Sequence, residues 1–286
     1  MPGAPMTTPA DRRAARELLA FYAEAGVDAA LTDAPVDRFA DRDRAMEAVA
    51  DAPAAVAAAG PPAVAVRAPV AGAGDRPAEA LAAPPPPEAA VMAAREAARS
   101  AATLEELRAI LAGFEGCALK ITAKQLVFAD GNPAARVMFV GEAPGREEDL
   151  EGLPFVGRSG QLLDRMMAAI KLDRRAAYVA NIIPWRPPGN RTPTPQEAAI
   201  CLPFIRRQIE LADPDILVCL GGPAGLALLP VKEGILKFRG RWFDFDTGRR
   251  TIRATATLHP AYLLRTPLQK RLAWRDMLAI KKALEG

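Results

Sequence analysis

Three short segments of this 286-residue chain gather residue types able to act on a planar, polar ligand. The first is GEAPGREEDLEGLPFVG, residues 141–157. Its glycines allow a backbone to approach a ligand closely. Glu142, Glu147, Glu148 and Asp149 set four carboxylates within eight residues. Such groups can hold a water or stabilise a developing cation, and they equally suit a solvated helix start, whose positive end favours acids. Phe155 is either a core residue or an exposed stacking face. The second segment is Asn181 followed by WRPPGNRTP, 185–193. An amide in an apolar strand is costly unless satisfied. Its one acceptor and two donors match either a neighbouring loop or the edge of a nucleobase. Arg186 and Arg191 are placed to reach phosphates or to lie as ordinary surface cations. The third segment is LHPAYLLR, 258–265, which holds the only histidine of the chain, His259. A lone histidine serves structure or chemistry. Tyr262-Leu263-Leu264 followed by Arg265 makes a poor solvent loop but a suitable wedge for a duplex, with a cation beside it.

These segments need a frame. Apolar runs predict strands at 137–142, 177–185, 216–221 and 251–258. Helices are expected over 88–113 with a break near Ser100, over 160–170, over 195–212, just after 221, and over 267–284. Thr103 with Glu106, and Thr194 with Glu197, have the spacing of capping boxes. Residues 235–248 read as a hairpin or an irregular pair. Strands separated by helices imply an α/β chain whose parallel sheet is covered on both faces. Ligands of such sheets bind beyond the C-terminal ends of the strands, which places all three segments on one rim.

The remainder of the chain differs. Residues 1–32 carry one amphipathic helix over 9–32, with Leu18, Leu19, Tyr22 and Ala25 at helical spacing. Residues 33–87 are dominated by Ala and Pro and end in four consecutive prolines. This composition predicts a disordered, extended linker, so the compact domain is expected over 88–286. Residues 1–90 hold 8 basic and 13 acidic side chains, against 29 and 21 over 91–286. A basic C-terminal part suits a polyanion such as nucleic acid. Mean hydropathy is +0.03, and no apolar run approaches the length of a membrane-spanning helix. Early charges argue against a signal peptide. Three cysteines leave no disulfide framework and fit a reducing, cytoplasmic compartment.

Taken in order, the motifs resemble those of the uracil-DNA glycosylase superfamily, most closely its family 4, across roughly residues 110–284. The resemblance implies a three-layer α/β/α fold with a central four-stranded parallel sheet. It implies hydrolysis of the bond between uracil and deoxyribose in DNA, leaving an abasic site. By the same resemblance Phe155 stacks on the flipped base and Asn181 reads its polar edge. Glu142 and the backbone at Ala143 line the pocket, and Glu148 holds the attacking water. Asn190 supports the site and His259 donates to uracil O2. Leu263 with Arg265 fills the hole left by the base. A protein that binds uracil or abasic DNA with slow or absent turnover is the alternative.

The chain departs from family 4 at the cluster positions. That family holds a [4Fe–4S] cluster with four cysteines. Here Cys117 and Cys201 match two of them, while Phe114 and Trp185 stand at the others. Two thiolates cannot complete such a cluster, so no cofactor is expected, although a family label alone would assign the cluster. Cys219, in a predicted core strand, reads as a small hydrophobe. Expected partners are uracil-containing DNA, bound by a monomer, and a repair or replication protein docked through the 9–32 helix, with no membrane.

Overall fold

The computed structural model describes residues 87–286. The expected helix over 9–32 and the linker up to residue 86 lie outside the described residues. Thr103 caps a helix as expected. Its hydroxyl accepts from Glu106 N–H at 3.1 Å, which starts α2 (Leu104–Gly113) after α1 (Pro87–Ser100). A single turn, α3 (Leu119–Thr122), leads to β1 (Ala129–Gly131) and β2 (Val137–Gly141). Then follow α4 (Arg146–Glu151), α5 (Arg158–Ala169) and β3 (Tyr178–Asn181). Thr194 and Glu197 close a capping box at the start of α6 (Pro195–Ala212), with Pro195 preset for the first turn. β4 (Ile216–Leu220), α7 (Gly222–Leu228), α8 (Ile235–Phe238), β5 (Trp242–Asp246) and β6 (Thr251–Thr257) come next. The chain ends in α9 (Pro260–Arg265) and α10 (Lys270–Glu285).

Among the described residues the sheet has six strands in the order β1-β3-β2-β4-β6-β5. The four inner strands are parallel, as expected, and β1 and β5 add antiparallel edges. The expected count of four is therefore corrected to six. β1 is a three-residue strand, Ala-Asp-Gly, too short and too polar to show a period. β5 pairs with β6 as a hairpin, and Ile235–Phe238 of the 235–248 stretch forms α8.

Alternation along the strands divides the core between the two faces. Met138, Val140, Leu217, Cys219, Ala254 and Ala256 point into one apolar cluster with Leu107, Leu111, Phe204 and Ile209 of α2 and α6. Val137, Phe139, Ile216, Val218 and Leu220 point the other way, against Leu163 and Met167 of α5 and Met277 and Ile280 of α10. β2, β3 and β4 are buried along their whole length, which is why they read as unbroken apolar runs. Each Val, Ile, Leu, Met or Phe among them contributes about 1.5–3 kcal/mol on burial. The inner strands therefore form a stiff floor for whatever stands at their C-terminal ends. No helix among the described residues is long and apolar enough to cross a membrane.

Candidate active site

The C-terminal ends of β2 and β3 are in register, with Gly141 opposite Asn181. Those of β4 and β6 are also in register, with Leu220 opposite Thr257, and His259 stands two residues beyond. Three of the expected residues converge here. A Cβ at Gly141 would lie 2.4 Å from Asn181 Oδ1 and 2.5 Å from Phe155 Cζ. Only glycine leaves room for both side chains. The Phe155 ring lies 5.6 Å from the imidazole of His259, tilted by 33°. Phe155 is buried yet carries φ +56°, a left-handed conformation rare for an aromatic residue. Asn181 is 4% exposed, and its buried Oδ1 accepts no hydrogen bond among the described residues. An unpaired buried acceptor costs about 1–3 kcal/mol, so a donor from outside the chain has a place waiting.

His259 caps α9. Its Nδ1 accepts from Ala261 N–H at 3.1 Å. A neutral ring whose Nδ1 accepts must carry its proton on Nε2. Burial lowers the imidazole pKa to about 4, and the nearby charge of Arg265 adds to the shift. The ring is therefore a neutral donor at physiological pH. Beneath it, Thr257 donates to the buried carboxylate of Asp276 in α10 at 2.7 Å, and Arg239 pairs with the same carboxylate. This network holds the end of β6 that presents the histidine.

The carboxylates separate into two kinds. Glu148 is 6% exposed, and both of its oxygens accept backbone N–H groups: Oε2 from Gly145 at 3.0 Å and Oε1 from Gly157 at 2.9 Å. It ties the two ends of the Gly-rich segment together, so the expectation that it holds a water meets a carboxylate already engaged on both oxygens. Glu142, next to Gly141, is half-buried. Its carboxylate makes no hydrogen bond or ion pair among the described residues, and desolvation raises its pKa. The sequence pattern alone did not separate the two. Glu148 stands at the third position of α4, where a capping-box acid belongs. Ala143 follows Glu142 and is half-exposed on the same rim.

The expected phosphate contacts are rearranged. Arg191 forks onto Glu197 at 2.7 and 2.9 Å. That pairing lowers the Glu197 pKa to about 2. Arg186 donates to Asn190 Oδ1 at 2.6 Å and approaches Asp149 at 3.9 Å. Both arginines thus brace the 185–197 segment, Arg186 half-buried and Arg191 still exposed. Asn190, exposed and at φ +55°, is one end of that brace. Arg265 is exposed and forms no ion pair among the described residues.

The wedge expectation is also corrected. Leu263 is 1% exposed and packs with Leu258 and Ala273. A helical turn from 260 to 265 points it inward and its neighbour outward, so Leu264 is the exposed leucine of that segment at 36%. Leu268, on the turn Pro267–Gln269, is 85% exposed. Reading Tyr-Leu-Leu-Arg as a loop rather than a helical turn concealed this division.

The positions of a family-4 cluster are filled differently here. The Cys201 thiol donates to Cys117 Sγ at 3.9 Å, and both are buried. Trp185 is fully enclosed in the same apolar cluster, and Phe114 stacks edge-on against Phe204 at 5.0 Å. Two thiols and packed aromatic carbon do not fit a four-thiolate cluster. Among the described residues no group of three or more His, Cys, Asp or Glu is placed to hold a metal ion.

Residues 128–278, just over half the chain, match the family described as the uracil DNA glycosylase superfamily. Similar proteins include a type-4 uracil-DNA glycosylase of Thermotoga maritima, 43% identical over 150 residues, covering 52% of this chain and 77% of that protein. One from Archaeoglobus fulgidus is 39% identical, with 53% and 78% covered. One from Saccharolobus solfataricus is 37% identical, with 59% and 81% covered. The matched span contains β2, β3, β4, β6 and the rim where Phe155, Asn181 and His259 meet, so the chain belongs to the uracil DNA glycosylase superfamily.

Proposed function

We propose that this protein removes uracil from DNA by hydrolysing its N-glycosidic bond. One observation carries the reading: the buried Asn181 Oδ1, without a hydrogen-bond partner among the described residues, lies beside the Phe155 ring, with a neutral imidazole next to it. Uracil offers N3–H and O4 along one edge. The first donates to Asn181 Oδ1 and the second accepts from the amide nitrogen. Cytosine offers an acceptor at N3 and a donor at its exocyclic amine, so both contacts oppose it. Mismatched buried polar groups discriminate strongly.

The bond to be broken lies inside the base stack, so the nucleotide must first be extruded. The base then slides against the Phe155 ring. As the C1′–N1 bond breaks, its electron pair leaves with uracil and spreads to O2. Nε2–H of His259 stabilises that oxygen, an effect of about 3–4 kcal/mol for one well-placed donor. The sugar becomes cationic. Water adds to C1′, and its proton passes to a carboxylate. Glu142 suits that role because its carboxylate has no partner among the described residues, while Glu148 keeps the segment closed around the base. Leu264 enters the vacated stack and Arg265 meets a phosphate.

No iron–sulfur cluster takes part in this reading. Phe114, Trp185 and Phe204 belong to the apolar cluster that also holds the two remaining thiols. The test is single-turnover cleavage of an oligonucleotide carrying one uracil, with thymine and cytosine controls, and iron measured on the same sample. Cleavage at uracil alone, without iron, is expected. Binding without cleavage would replace the enzyme with a uracil- or abasic-site-binding protein.

A further inference from the structure

Phe155 occupies a backbone region that a non-glycine residue enters only under strain, so something must hold it there. The structure supplies two constraints on its carbonyl. A Cβ at Gly160 in α5 would lie 1.7 Å from Phe155 O, so the carbonyl rests directly on bare helix backbone. From the other side, Arg174 Nη2 donates to Phe155 O at 2.7 Å, and Nη1 donates to Pro154 O at 3.1 Å. The same guanidinium donates to Asp164 of α5 at 2.7 Å and to Asp130 of β1 at 2.9 Å. Four of its hydrogen bonds thus tie the Phe155 carbonyl, its neighbour, the flanking helix and the edge strand into one unit. Arg174 lies 19 residues beyond Phe155 in sequence, and none of these hydrogen bonds reaches a side chain assigned to the base.

We infer that Arg174 is a positioning residue that sets the stacking face of Phe155 for a flipped base by clamping the Pro154–Phe155 carbonyls. The inference rests on the uracil-excising reading for its ligand, but not for its geometry. A planar fork on two carbonyls and two carboxylates is a shape that lysine cannot reproduce, because its ammonium is a single point of donation. With the clamp removed, Phe155 relaxes toward ordinary backbone angles and its ring leaves the pocket. None of the four Arg174 partners lies in α9 or in the turn after it, which carry Leu264, Arg265 and Leu268.

The experiment compares Arg174→Ala, Arg174→Lys and Phe155→Ala with the full-length protein. Three readouts are taken: inhibition by free uracil, affinity for DNA carrying an abasic site, and amide hydrogen exchange over 152–160. Loss of the clamp is expected to weaken inhibition by uracil and slow single-turnover cleavage by about tenfold each, the scale set by the strain at Phe155. Affinity for abasic DNA, which has no base to stack, stays within about twofold. Arg174→Lys falls between wild type and alanine. Arg174→Ala added to Phe155→Ala slows cleavage no further, because the clamp acts only through that ring. Exchange over 152–160 accelerates while β2 and β4 remain protected.

Additive losses in the double variant would overturn the inference, as would equal loss of abasic-DNA binding. If Arg174→Ala does not fold, Arg174→Lys carries the same comparisons. If the wild type cleaves no uracil, the functional reading fails, and the exchange measurement still decides the clamp. Unchanged exchange over 152–160 refutes it.

Discussion

His259→Asn separates the two jobs of the histidine. Asparagine is among the best N-cap residues, and its Oδ1 takes the place of Nδ1 in accepting from Ala261 N–H. The donor at Nε2 is lost. Cleavage should therefore slow by about 10²–10³-fold, the effect of deleting one donor to a developing oxyanion, while stability at pH 7 changes little. The same variant tests the protonation state. In the native protein the imidazole titrates near pH 4 rather than near its ordinary 6.5. The unfolded chain therefore binds a proton that the folded one refuses. Native stability from this group is present above pH 6.5 and declines as pH falls toward 4. Between pH 7 and pH 5 a shift of this size removes about 2 kcal/mol. Urea unfolding at both pH values measures it, with the variant subtracting every other titrating group. Equal pH dependence in wild type and variant would show an imidazole that protonates normally, and the neutral-donor mechanism would fail. An unchanged cleavage rate would show that Nε2 does not face the departing base.

Other predictions concern the residues that the fold reassigned. Leu263→Ala should destabilise the protein by about 2–4 kcal/mol, the cost of a buried cavity. Leu264→Ala should leave stability within about 0.5 kcal/mol and slow cleavage in duplex more than in single-stranded DNA. Chemical denaturation and paired substrates distinguish the two. Arg265→Ala should lower the salt dependence of DNA binding by about one unit of log–log slope. Arg191→Ala should leave that slope nearly unchanged, because its guanidinium is held by Glu197. Glu142→Gln should reduce cleavage by about 10²-fold. Burial raises the Glu142 pKa, so the wild-type rate should fall with decreasing pH at a point above that of an ordinary glutamate. A pH–rate profile that keeps this acid limb in the variant would assign the limb to another group.

Much of the frame was legible because the physics that makes it is local. The unbroken apolar runs of β2 and β4 and the capping pairs Thr103–Glu106 and Thr194–Glu197 express burial and helix termini over a few residues each. The short edge β1 carries no such local signal, since its pairing with β3 across about 50 residues exists only in the fold. The site divided in the same way. Residue types and their order were enough to single out Phe155, Asn181 and His259 as candidates, because an amide in an apolar strand and a lone histidine after one are visible without coordinates.

What each group does was decided by its three-dimensional neighbours. Glu142 and Glu148 are indistinguishable as letters, yet one carboxylate meets no partner among the described residues and the other accepts from two backbone amides. Leu263 and Leu264 are identical side chains that a single helical turn sends in opposite directions. Arg191 was a free cation until Glu197 came within reach, and Arg174 was unremarkable until its guanidinium met the carbonyl of Phe155. Sequence determined which chemical groups exist and which strand ends carry them, because composition and periodicity act along the chain. Tertiary structure decided which of them are desolvated, paired or left unsatisfied. Those properties depend on distances between residues far apart in sequence, and they select the groups that remain available to a substrate.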